Sequence, residues 1–174
     1  IHVRKAFADA FDYQKYIRDV LLGSGIQPNG PIPQNMSGYD PTVPVHQFNL
    51  TDAAYQLSLV ENPSQPGKSY LETGFNIRIF YMQGNDLWKS GCLLLEQGLE
   101  SISPNITVEV VEMGSSYYSA AFQGRLSLFF SAWQADYSDP DDFAVPLLHS
   151  EGTFSSTSGI NNATLDAMIE EASS

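Results

Sequence analysis

Between Phe75 and Trp133 the apolar residues switch repeatedly between two periods, and this alternation limits the possible folds more than any other feature of the chain. "FNIRIFYM" (75–82) reads as a strand, "DLWKSGCLLLEQGLESI" (86–102) as a helix, "ITVEVVEM" (106–113) as a strand, "SSYYSAAFQG" (115–124) as a helix and "RLSLFFSAW" (125–133) as a strand. Parallel neighbours need a crossover connection, and helices of this length supply one, so the spacing implies right-handed crossovers and a mainly parallel sheet. The fold class is α/β. A length of 174 residues and a hydrophobic content of 43% are those of a single domain with a real core, so residues 1–174 are read as one unit.

The flanks fit this plan. Val3, Ala6, Phe7, Ala10 and Phe11 form a helical stripe, and Asp12 then caps a second helix, "YQKYIRDVLLG", that stops at Gly23. Residues 24–44, "SGIQPNGPIPQNMSGYDPTVP", are so rich in proline and glycine that they form an irregular surface excursion. Asn49 or Thr51 caps the helix "DAAYQLSLVEN", which Pro63, Pro66 and Gly67 end. Helices "DDFAVPLLH" and "NATLDAMIEEA" close the chain, the latter capped by Asn162 or Thr164.

Charge removes one class of partner. Lys and Arg number 8 against 20 Asp and Glu, a formal net charge of -12, so a phosphate backbone is repelled and nucleic acid is excluded. The lone cysteine, Cys92, lies among apolar residues at helical spacing and reads as a small buried hydrophobe, without the electropositive setting of a nucleophile. His2, His46 and His149 fall in separate segments and assemble neither a zinc site nor a Cys/His pair; no cofactor is implied. No apolar run is long enough to span a bilayer. The sequence begins at "IHVRKAF" without an initiator Met and ends as a helix gets going, so it is read as a piece of a longer protein. Asn-x-Ser/Thr patterns at Asn35, Asn49, Asn105 and Asn162 are compatible with export.

In an open parallel sheet, ligands bind outside the carboxyl ends of the strands. Those ends are Gln83–Asp86, Gly114–Tyr118 and Trp133–Asp142, which makes Gln83, Asn85, Tyr117, Trp133, Asp136 and Tyr137 the candidate ligand-binding residues. Asp136 follows a tryptophan by three residues on a loop leaving a strand, where low dielectric would make it a strong partner for a ligand ammonium, with Trp133 and Tyr137 as walls. The bland alternative is a core tryptophan and an ordinary turn aspartate. Asp139, Asp141 and Asp142 form a carboxylate cluster of the kind that serves glycoside hydrolysis, but "SDPDDF" also reads as a turn and helix N-terminus, where acidic side chains are stabilised by the dipole and free N–H groups. The second reading is preferred, and no enzyme is expected.

The stretches "VRKAFADAFDYQKYIRDVLLGSG", "GYDP", "DLWKSGCLLLEQGLESISPNITVEVVEM", "AWQADYSDPDDF" and "NNATLDAMIEEA" together resemble the second lobe of family 5 solute-binding proteins, the oligopeptide and dipeptide receptors of ABC importers. The resemblance implies a three-layer α/β lobe of the type II periplasmic-binding-protein kind, belonging to a two-lobed receptor that closes over its solute outside the cytoplasm and delivers it to membrane permease subunits. It also implies that Asp136, in the "W-x-x-D-Y" stretch, pairs with a peptide's α-amino group. Some dipeptide binders carry an arginine after the first of these strands, whereas "MQGND" (82–86) has none, so a longer peptide is expected. The same family includes nickel, haem and oligosaccharide receptors.

Overall fold

A computed structural model describes residues 1–173, which form two compact units. The first comprises Ile1–Ile26, His46–Ser115 and Leu126–Phe130; the second comprises Gln27–Val45, Ser116–Arg125 and the residues from Ser131 onward.

In the first unit, α1 (His2–Asp9) is followed by α2 (Tyr13–Lys15), whose N-terminus is capped as expected: the Asp12 carboxylate accepts from the Lys15 N–H at 2.9 Å. The helix widens into a π turn, Tyr16–Val20, and stops where Leu22 and Gly23 both take positive φ. α3 (Leu50–Ser58) is capped by Asn49, which accepts from Thr51 and Asp52, and packs against α1 through Ala6, Ala10, Ala53 and Leu57, all fully buried. This helix ends four residues earlier than its apolar pattern implies, because the chain turns back on itself there: the Asn62 N–H donates to the Lys68 carbonyl and the Tyr70 N–H to the Val60 carbonyl, so that Glu61 bridges Ser69. α4 (Tyr70–Thr73) was not anticipated; a capping box between Ser69 and Glu72 nucleates it.

Strands β1 (Phe75–Met82) and β2 (Ile106–Met113) pair in parallel, Phe75 opposite Ile106 and Met82 opposite Met113, with α5 (Asp86–Glu100) as the crossover. Ile79, Tyr81, Ile106 and Val108 pack with Cys92, Leu95 and Leu99 of α5 in one core. A fully buried leucine such as Leu99 contributes about 1.5–3 kcal/mol relative to exposure, so this seam carries much of the unit's stability. Cys92 is a core residue, as its setting implied, and burial pushes its thiol pKa up to about 12. The opposite strand face is polar in its first half, Asn76 and Arg78 opposite Thr107 and Glu109, with the Arg78 guanidinium 2.6 Å from the Glu109 carboxylate.

The expected third strand, 125–133, is a correction. Only a parallel bridge between Phe80 and Phe129 forms, with Phe80 donating to the Leu128 carbonyl and accepting from the Phe130 N–H. One step earlier, where the next rung would fall, it is the Ser127 hydroxyl that donates to the Arg78 carbonyl, at 2.8 Å. The α/β class stands on β1, α5 and β2.

In the second unit, the 27–45 excursion lacks secondary structure but is pinned at Asn29: its amide donates to the Val43 and Pro41 carbonyls and its oxygen accepts from the Tyr39 hydroxyl. The unit also holds α6 (Tyr117–Phe122), α7 (Asp141–Leu148) and α8 (Ala163–Ala172). Asn162 caps α8 by accepting from Thr164 and Leu165. The Asp166 carboxylate accepts from the Ser150 N–H at 2.8 Å, which ties α8 to the end of α7; hydrogen bonding from the Ser150 side chain, then from its backbone N–H, holds the Asp166 pKa below the usual carboxylate range.

Candidate functional site

The loop that enters α7 is built around one aspartate. Asp142, in the first turn of α7 and 9% exposed, does not cap its own helix. Its Oδ2 accepts from the Asp136 N–H at 2.5 Å and the Tyr137 N–H at 3.4 Å, and its carbonyl accepts from the Trp133 indole Nε1–H at 2.6 Å. A carboxylate is costly to bury unless hydrogen-bonded, and these contacts meet that demand. Asp139 serves the helix start, its Oδ1 accepting from the Asp141 N–H at 3.2 Å. Asp141 accepts from the Tyr137 hydroxyl at 3.1 Å, a bond that, with the surrounding carboxylates, raises the phenol pKa. Of the acidic cluster, Asp139 serves the helix start and Asp142 the preceding loop, and no side chain of the cluster caps α7 in the usual way.

Against this loop lies an open cleft of about 340 Å³ lined by Trp133, Tyr137, Asp141, Asp142, Val145, Pro146 and the turn Glu151–Thr153. The Trp133 ring is half-buried and meets Phe154 edge-on at 5.8 Å. Asp141 Oδ1 is buried, and among the described residues nothing donates a hydrogen bond to it. Aromatic walls with carboxylates and no lining Lys, Arg or His favour a cationic or amine-bearing group over an anion.

The sequence-derived residues fall into two sets. In the second unit, Trp133, Asp136 and Tyr137 share the loop, and Trp133 and Tyr137 wall the cleft. Asp136 is exposed, which corrects the expectation of a carboxylate withdrawn from water: the buried position in this loop belongs to Asp142, and Asp136 contributes only its backbone N–H to it. Among the described residues no side chain pairs with the Asp136 carboxylate, so its charge is not neutralised locally. Tyr117 on α6 is 1% exposed and packs edge-on against Tyr118, the ring that reaches solvent. In the first unit, Gln83 is exposed at the carboxyl end of β1, and Asn85 caps α5 by accepting from the Trp88 N–H at 3.0 Å. Sequence reasoning missed Asp142 as the centre of the loop. Its position just after a proline at a helix start reads as a cap, and nothing in the spacing announces a bond back to residue 136.

Comparison with known proteins bears on family and fold. The family model for the bacterial extracellular solute-binding proteins, family 5 middle segment, matches residues 1–155. The chain is 27% identical over 173 residues to heme-binding protein A of Haemophilus influenzae, covering 99% of this chain and 30% of that protein. It is 23% identical over 172 residues to the probable D,D-dipeptide-binding periplasmic protein DdpA of Escherichia coli, covering 98% and 31%. The fold matches the periplasmic binding protein DppA of Helicobacter pylori, solved in complex with the peptide STSA, with a TM-score of 0.81 at 21% identity, over 98% of this chain and 32% of that one. The chain thus spans about a third of the length of the proteins it matches. With the type II binding-protein fold and a family match over residues 1–155, the chain belongs to the bacterial extracellular solute-binding proteins of family 5.

Proposed function

We propose that this chain is part of the ligand-binding lobe of an ABC-importer receptor that captures peptides, longer ones in preference to dipeptides, and delivers them to permease subunits in the membrane from the extracytoplasmic side. The observation that carries the reading is the Trp133–Tyr137 loop: an unneutralised carboxylate at Asp136, between two aromatic residues, on backbone held by Asp142. Asp136 takes the peptide ammonium, and Trp133 and Tyr137 flank it. At the carboxyl end of β1, Gln83 and Asn85 are assigned as further ligand contacts, and Tyr117 supports the exposed ring of Tyr118. The absence of an arginine in 82–86 supports peptides held without a carboxylate clamp at that place.

Exposure sets the energetics. A carboxylate facing water gains only about 0.2–1 kcal/mol from an ammonium. Capture therefore depends on covering Asp136 as the receptor closes, which desolvates the pair and raises its contribution to about 2 kcal/mol. Haem is the competing solute, because a relative matched over 99% of this chain is a heme-binding protein. Native mass spectrometry of the complete receptor separates the two: a peptide mass released on denaturation supports the reading, and a haem mass in its place refutes it.

A further inference from the structure

We propose that Asp142 is a positioning residue for solute capture, a role that rests on the reading of Asp136 as the amine anchor. Three bonds leave this one residue, and they reach both ends of the "W-x-x-D-Y" stretch: the carbonyl takes the Trp133 indole N–H, and the carboxylate takes the consecutive N–H groups of Asp136 and Tyr137. A helix-capping aspartate would direct its carboxylate at the N–H groups of its own first turn. Asp142 spends it on a loop six residues upstream while 9% exposed, so the helix α7 becomes the rigid base from which the loop is hung. The Trp133 ring and the Asp136 backbone are thereby fixed relative to each other before any solute arrives. A ligand meeting a preformed anchor does not have to order the loop, and that saving appears as affinity. Asp142 borders the cleft, but its carboxylate is turned to the loop N–H groups. It acts through Asp136.

The test is a double-mutant cycle in the complete receptor, with tetra-alanine as probe and calorimetry as readout. Asp142→Ala is expected to weaken tetra-alanine roughly tenfold when Asp136 is present. It should weaken binding less than about twofold once Asp136 is already alanine, because coupled residues are non-additive. Asp142→Asn, which keeps an acceptor oxygen, should recover most of the loss. Equal losses in both backgrounds would reduce Asp142 to general scaffolding and overturn the proposal, as would full affinity in Asp142→Ala. If Asp136→Ala alone leaves affinity unchanged, the anchor reading fails first, and this proposal with it. Should Asp142→Ala not fold, hydrogen exchange of the unsubstituted receptor decides: slow exchange at the Asp136 amide is expected, and exchange at the rate of a free loop overturns the proposal.

Discussion

Replacing Gly98 with alanine tests how α5 is seated. A Cβ added at Gly98 would lie 1.9 Å from the Ala10 carbonyl oxygen at the end of α1, where real Cβ contacts essentially never fall under 3.0 Å. More than an ångström of movement is required, and the obstacle is backbone, which cannot rotate away. Alanine gains about 1 kcal/mol of helix propensity over glycine. Overpacking of a core costs about 1–3 kcal/mol and more when backbone must shift, so a net destabilisation of about 2 kcal/mol is expected. If the 174-residue chain melts as one cooperative unit, that is a fall in melting temperature of roughly 4–8 °C by calorimetry. Gly91→Ala is the matched control. Its Cβ would meet the Phe130 ring at 2.2 Å, a side-chain rather than a backbone obstacle, so the change should cost less than Gly98→Ala. A Gly98→Ala protein that melts at or above the parent would refute the close approach of α5 to the end of α1.

Asn162→Ala removes the acceptor for the Thr164 and Leu165 N–H groups and should cost about 1 kcal/mol in urea unfolding. Cys92 should resist a thiol reagent at neutral pH until the protein unfolds, since the side chain is fully buried and its thiol titrates near 12; fast native labelling would contradict the core assignment. Because the folded pKa is raised above the ordinary value of 9.0, the Cys92 contribution to stability is fully present below pH 9 and is lost as pH rises toward 12. The slope reaches at most about 1.4 kcal/mol per pH unit, and Cys92→Ala should flatten it.

Local signals in the sequence were strong where one side chain decides the outcome. Asp12, Asn49 and Asn162 each cap the helix that follows, because a short polar side chain before an apolar stripe has one economical use there. Strand β1, helix α5 and strand β2 were legible from period alone. The segment 125–133 was not: an apolar run records a wish for burial, while a ladder depends on partners, and the Ser127 hydroxyl takes the place of the next rung. α4 escaped because four residues carry little periodicity, although "SYLE" held its capping box. At the candidate site, the residue types of the loop were visible but the burial was assigned to the wrong aspartate. Whether Asp136 or Asp142 leaves water is settled by which backbone N–H groups converge, and that convergence is tertiary.

The central claim is that Asp136 anchors the protonated amine of a peptide once the receptor covers it. Calorimetry of the complete receptor with a free-amine peptide and its N-acetylated counterpart, before and after Asp136→Ala, tests this most directly. The account predicts a loss of about 2 kcal/mol, roughly 30-fold, for the free amine and no change for the acetylated peptide. Unchanged affinity for the free amine, or equal losses for both peptides, would contradict it.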